Sequence, residues 1–173
     1  GNEYPFLSWM SRLGLKTDGS ANGVTVLKQG WGVEPLTEGQ AACVSTMSYN
    51  EYWVVRDAGY SPEQLTVFKY QTEGAATLED GLYVHEKNMS DAAFKDKMVR
   101  FVRASMKGWK YAEANPDEAA GIILDNDATG AQTEKHQKRM MGEIAKLTAG
   151  SNGTLDPADF DRTVSTLLAG GSD

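Results

Sequence analysis

The sequence predicts an α/β fold in which short strands alternate with helices and a helical region follows. Four segments are rich in β-branched or apolar residues, as strands typically are: residues 23–27, 41–45, 65–70 and 82–84. Residues 85–173 carry 12 basic and 14 acidic side chains, against 5 and 10 in residues 1–84. This higher charge density is typical of amphipathic helices with solvated outer faces.

Helices are predicted between these strands. Apolar residues recur at helical spacing in residues 5–13, and two further helices are predicted over residues 35–40 and 50–58. The strand at 41–45 is apolar on both faces, which suits a buried parallel strand. Cys43 within it is therefore expected to be an inert, buried thiol.

The second part of the chain is predicted to be helical throughout. A long amphipathic helix is expected over residues 91–115, with Ser90 as its N-cap. Pro116 ends this helix and suits the first turn of the next one. Three further helices are predicted in this part: residues 117–124, 129–147 and 157–168.

The composition excludes several classes of function. The chain has 173 residues and a net charge of -7, whereas proteins that bind phosphate backbones are usually basic. This balance argues against nucleic acid and against docking on an anionic membrane. No apolar run approaches the roughly 20 residues of a membrane span. One Cys and two His exclude an internal disulfide and a Cys-rich zinc site, so we expect no metal and no cofactor.

Five fragments, taken in order along the chain, carry a family resemblance: GNEYP at 1–5, STMSYNEY at 45–52, LEDGLYV at 78–84, FVRASMKGW at 101–109 and NPDEAA at 115–120. Together they resemble the substrate-binding proteins of ABC importers. The branch is the one similar to pyrimidine (thiamine-precursor) synthases and to sulfonate- and taurine-binding proteins. NPDEAA after a long amphipathic helix is the more specific of these signals.

The resemblance implies a fold like the type II periplasmic binding proteins, in which two α/β lobes close on a ligand. Residues 1–78 would form the second lobe without its first strand, residues 79–84 the return crossing, and residues 85–173 helices that pack on the first lobe. The chain would then be the later portion of such a protein, with the first lobe largely missing. The alternative is that Gly1 is an expression scar before a true N-terminal helix.

Three turns supply polar candidates for ligand binding, because ligands of such sheets lie where strands end. We predict ten ligand-binding residues: Asn2, Glu3, Tyr4, Ser45, Thr46, Ser48, Glu73, Gly74, Asp80 and Tyr83. Carboxylates such as Glu3 and Glu73 favour an amino-substituted ring or an ammonium and repel a sulfonate. Two alternatives stay open: Ser45, Thr46 and Ser48 cap a helix, and Glu3 stabilises a helix dipole.

The predicted function is solute binding for an ABC importer in the periplasm or cell envelope of a bacterium, with an aminopyrimidine or thiamine precursor as the candidate ligand. The expected partners are this small molecule, a membrane permease and a second copy of the chain docked on an exposed half-cleft. The alternative is a pyrimidine-biosynthesis enzyme of the same superfamily. The resemblance assigns those enzymes a Cys-rich segment and a substrate-donating His, so the single Cys favours binding over catalysis.

Overall fold

The computed structural model describes residues 3–171. Over this range the chain forms eight α-helices: α1 (Glu3–Arg12), α2 (Glu34–Thr37), α3 (Glu51–Asp57), α4 (Tyr70–Glu73), α5 (Ala92–Ala114), α6 (Pro116–Asp125), α7 (Glu134–Thr148) and α8 (Pro157–Ala169). Two short 3-10 helices are also present: Pro62–Gln64 and Glu86–Ser90.

No strand forms within residues 3–171, so the prediction of an α/β fold like the type II periplasmic binding proteins is wrong. The four predicted strands are segments without a ladder partner, and apolar side chains along them are exposed, including Leu27, Val67 and Val84. β-Branched residues favour a strand only where a second strand supplies backbone partners and a packed face. Among the described residues none of the four segments has both a partner strand and a packed face.

The predicted helices form because their signals are local. The side chain of Asp91 accepts hydrogen bonds from the backbone N–H groups of Ala93 and Phe94, so Asp91 rather than Ser90 is the N-cap of α5. Pro116 opens α6, as expected. Helix α7 begins later than predicted, because Asp127 holds the preceding turn through bonds to the N–H groups of Thr129 and Gln132.

The chain divides into two compact units, and the first comprises the described residues of 1–47, 54–80 and 155–173. Within it α1 packs against α8 and α4. Its buried apolar side chains come from several segments: Met10, Val33, Val55 and Ala75. A Cβ on Gly170 would lie 2.7 Å from the carbonyl oxygen of Tyr4, so the end of α8 approaches α1 closely.

The second unit, residues 48–53 and 81–154, is built from α5, α6 and α7. Its core is small: Ala119, Ala120 and Met141 are buried, and Ala112 and Ile144 pack against them. Ala120 is fully buried, which allows α6 and α7 to approach closely. The predicted division into 1–78, 79–84 and 85–173 remains a prediction.

Candidate functional site

Helix α1 carries two of the predicted ligand-binding residues at its first turn. Glu3 opens the helix, and a hydrogen bond to its own backbone N–H is the main cause that lowers the pKa of its carboxyl. This geometry fits a first-turn acid that stabilises the helix dipole. Tyr4 follows and is half-buried, whereas Asn2 lies outside the described residues.

Ser45 is held in place by the side chain of Gln29. The amide oxygen of Gln29 accepts from the Ser45 N–H at 3.0 Å, and its amide nitrogen donates to the Ser45 carbonyl at 2.9 Å. The Ser45 side chain also hydrogen bonds with Tyr70, whose pKa is raised by burial. Thr46 is next in the same segment and is half-buried. Ser45 is therefore a fixed link between this segment and α4.

The turn at Glu73 and Gly74 carries an acidic side chain and is contacted by a basic one, Arg12 of α1. Gly74 ends α4 at φ +68, in the left-handed region that favours glycine. The Arg12 guanidinium donates to the Gly74 carbonyl, and a Cβ at Gly74 would overlap that guanidinium. Glu73, the residue before Gly74, is half-buried. The turn therefore carries a carboxylate on α4 and receives a guanidinium from α1.

The structure does not gather all ten predicted residues. Glu3 and Arg12 lie nine residues apart on α1, which corresponds to about 13 Å along the axis. The Glu73 turn, which Arg12 contacts, therefore lies towards the opposite end of α1 from Glu3. Asp80 is an exposed residue at the edge of the first unit, and Ser48 and Tyr83 are exposed residues of the second.

An aromatic patch adjoins Ser45 and α4, and we define it as Trp9, Phe68 and Tyr70. The ring centroid of Trp9 lies 5.1 Å from that of Phe68 and 6.4 Å from that of Tyr70. The Phe68 side chain is 55% exposed, so part of the patch faces solvent. The indole N–H of Trp9 is buried and has no hydrogen-bond partner among residues 3–171. Flat rings stack on such surfaces.

The sequence does not predict this patch, because Trp9 belongs to a helix, Phe68 belongs to a predicted strand, and the two lie 59 positions apart. The available signal was the spacing of Phe68 and Tyr70 in the apolar run that precedes Glu73. Two aromatics two residues apart share a face when the backbone is extended. That run leads directly into a predicted polar turn.

A second polar cluster lies in the second unit and also includes residues not predicted to be functional. His136 Nε2 lies 2.8 Å from Asn50 Oδ1. The guanidinium carbon of Arg139 lies 4.8 Å from the ring centroid of Trp53, which is within cation–π range. Tyr52 meets Trp53 edge-on at 5.3 Å. These contacts fix the start of α3 against α7.

Within residues 3–171 no group of three or more His, Cys, Asp or Glu side chains is arranged to hold a metal ion. Cys43 is a free thiol and is exposed, so the prediction of a buried thiol in a strand is wrong. None of the described helices is both long enough and apolar enough to cross a bilayer.

Comparison with protein families places part of the chain in a known family. The profile of the NMT1/THI5-like family matches residues 8–119, which include the second half of α1, the aromatic patch and the Glu73 turn. No curated protein and no solved structure matches the chain significantly. The family profile covers well over half of the 173 residues. The chain therefore belongs to the NMT1/THI5-like family.

Proposed function

We propose that the chain is a solute-binding component of an ABC importer and captures a small molecule in the cell envelope of a bacterium. The observation that carries this proposal is the family match over residues 8–119. The partly exposed aromatic patch beside Ser45 and the Glu73 turn adds support. A few fixed polar groups beside an apolar surface are what a small-molecule site requires.

The ligand that suits this surface is an amino-substituted heterocycle such as an aminopyrimidine. Its ring would stack on the aromatic patch. Its amino group would donate to the Glu73 carboxylate, and its ring nitrogens would accept from Arg12. The neighbouring Arg12 makes the turn less selective for a cation than Glu73 alone would be. The turn as a whole still favours a ligand that has both hydrogen-bond donors and acceptors over a sulfonate, which has acceptors alone.

Binding without turnover is the second part of the proposal. The alternative is a pyrimidine-biosynthesis enzyme, which the single exposed Cys43 does not favour. Equilibrium dialysis with an aminopyrimidine, followed by mass spectrometry of the recovered ligand, separates the two. We expect reversible binding and chemically unchanged ligand. A protein-dependent product would favour the enzyme.

Delivery to a membrane permease is the third part. Ligand binding would shift an equilibrium towards the conformation that the permease recognises. ATP hydrolysis by the permease complex in vesicles should then rise with ligand-loaded chain more than with ligand-free chain. Equal rates would contradict the role in import.

Self-association is the fourth part, because many large apolar side chains are exposed, including Leu82 and Trp31. We expect light scattering to detect a dimer that dissociates on dilution. A monodisperse monomer at every concentration would contradict this part of the proposal alone.

A further inference from the structure

A pocket of the second unit lies where α5 passes the end of α7, and we call it the Trp109 pocket. Its volume is about 140 Å³. Met106, Trp109 and Glu113 of α5 line one side. Thr148 at the end of α7 and Gly153 in the following loop line the other. None of these residues was predicted to bind a ligand.

The dimensions of the Trp109 pocket suit a single ring. An apolar cavity of about 150 Å³ takes up benzene, so about 140 Å³ accommodates one six-membered ring with a small substituent. Trp109 is 46% exposed, so its indole is accessible to a ring that stacks on it. Met106 adds a polarizable thioether, which makes favourable contacts with aromatic rings.

Gly153 determines how closely the loop approaches Met106. It adopts φ +74, and a Cβ at this position would lie 2.8 Å from the Met106 sulfur. The left-handed φ favours glycine at this position, and a side chain there would displace the Met106 thioether. The loop thus forms a wall of the pocket.

The charges around the pocket favour a cation. Glu113 is half-buried, and within residues 3–171 its carboxylate has neither a hydrogen bond nor an ion pair. The pocket also adjoins the C-terminal end of α7, where the helix dipole is negative. The Thr148 hydroxyl donates to the Ile144 carbonyl, which leaves its oxygen as an acceptor. Lys110 is the pocket's one basic residue, and it is exposed.

We propose that the Trp109 pocket binds a single-ring aromatic molecule that carries a protonated amino group. The ring would lie against Trp109 and Met106, and the ammonium would lie between Glu113 and the end of α7. The residues of this pocket belong to the second unit, whereas the aromatic patch belongs to the first. The inference does not rest on the proposed function.

The test compares three ligands of one shape and different charge: benzylamine, benzyl alcohol and benzoate. Their binding to the full chain is followed by the NMR signals of the indole N–H groups, assigned with Trp109→Phe and with Trp31→Phe as the matched control. We expect benzylamine to shift the Trp109 signal and bind tightest, benzoate to bind weakest, and the Trp31 signal to stay unchanged. Benzoate binding as tight as benzylamine, or no shift at Trp109, would overturn the proposal.

Two variants that each remove one negative charge show whether the ammonium lies at Glu113. Glu113→Gln should weaken benzylamine binding about fivefold and leave benzyl alcohol binding unchanged. Glu86→Gln removes one acid elsewhere in the same unit and should have no effect. Equal effects of the two variants would overturn the assignment of Glu113. Circular dichroism of both variants verifies the fold.

Discussion

Tyr70 links the aromatic patch to Ser45, and its ionisation reports on that link. Burial is the main cause that raises the pKa of the Tyr70 hydroxyl above its ordinary value of 10.0, and the hydrogen bond with Ser45 acts in the opposite direction. The folded state therefore holds this proton more tightly than the unfolded state does. The contribution of Tyr70 to the free energy of unfolding is therefore complete below the pKa that this hydroxyl has in the unfolded chain. That contribution is lost as the pH rises through the higher pKa of the folded state.

Tyr70→Phe removes this pH dependence. From about pH 8 to about pH 11, the wild-type free energy of unfolding should fall more steeply than that of the variant. Urea titration at each pH measures both slopes. Tyr83→Phe is the matched control, since Tyr83 is 86% exposed, and it should follow the wild type. Parallel curves for wild type and Tyr70→Phe would contradict the buried position of this hydroxyl.

Asp91 begins the longest helix through its side chain. Asp91→Ala leaves the N–H groups of Ala93 and Phe94 without their acceptor. We expect the free energy of unfolding of the second unit to fall by about 1 kcal/mol. Asp91→Asn keeps an acceptor and should retain most of the stability. A loss as large for Asn as for Ala would show that the cap is not the cause. Chemical denaturation of both variants provides the comparison.

The sequence predicts the role of a single residue well, to within one position, when that role depends only on neighbours in the chain. The cap of α5 was expected at Ser90 and lies one residue later, because Asp91 accepts two backbone bonds. Glu3 was predicted to bind ligand or to stabilise a helix, and its lowered pKa fits the second role. The contacts of Gln29 with Ser45 span 16 residues, and those of Arg12 with Gly74 span 62. No local pattern indicates such pairs.

Helices were predicted well and strands were not, for a physical reason. A helix satisfies its own backbone, so amphipathic spacing and end signals are enough to place α5 and α6 within a few residues. A strand needs a partner from elsewhere in the chain. The run at 65–70 has strand-like side chains, yet residues 65–69 form no ladder and Tyr70 begins α4.

The packing of α6 on α7 depends on a small side chain at Ala120, which is fully buried. Ala120→Leu should destabilise the second unit by about 1–3 kcal/mol, because a larger side chain forces the helices apart. Ala114→Leu is the matched control, because it makes the same change of side chain at an exposed position of α5. It should change the free energy of unfolding little. Thermal unfolding measures both. Equal midpoints for the two variants would contradict close contact between α6 and α7.

Among the described residues many large apolar side chains are exposed, including Trp31, Leu82 and Leu168. The buried hydrophobic core is correspondingly small: Met10, Val33, Val55 and Ala75 in the first unit, and Ala119, Ala120 and Met141 in the second. The small cores mean that each unit has modest stability of its own.

Two units with separate cores should respond separately to core mutations. Met10 is buried in the first unit and Met141 in the second. Each Met→Ala change should destabilise its own unit by about 2–5 kcal/mol. Hydrogen exchange should accelerate in α1 and α8 for Met10→Ala, and in α6 and α7 for Met141→Ala. Uniform acceleration across the chain by either variant would contradict this division.

We propose that this member of the NMT1/THI5-like family binds an amino-substituted ring. Isothermal titration calorimetry of the full chain with an aminopyrimidine and with taurine tests it most directly. We predict saturable binding of the aminopyrimidine, weaker binding of taurine, and loss of the aminopyrimidine signal in Glu73→Gln. Tighter binding of taurine than of the aminopyrimidine would contradict this ligand class.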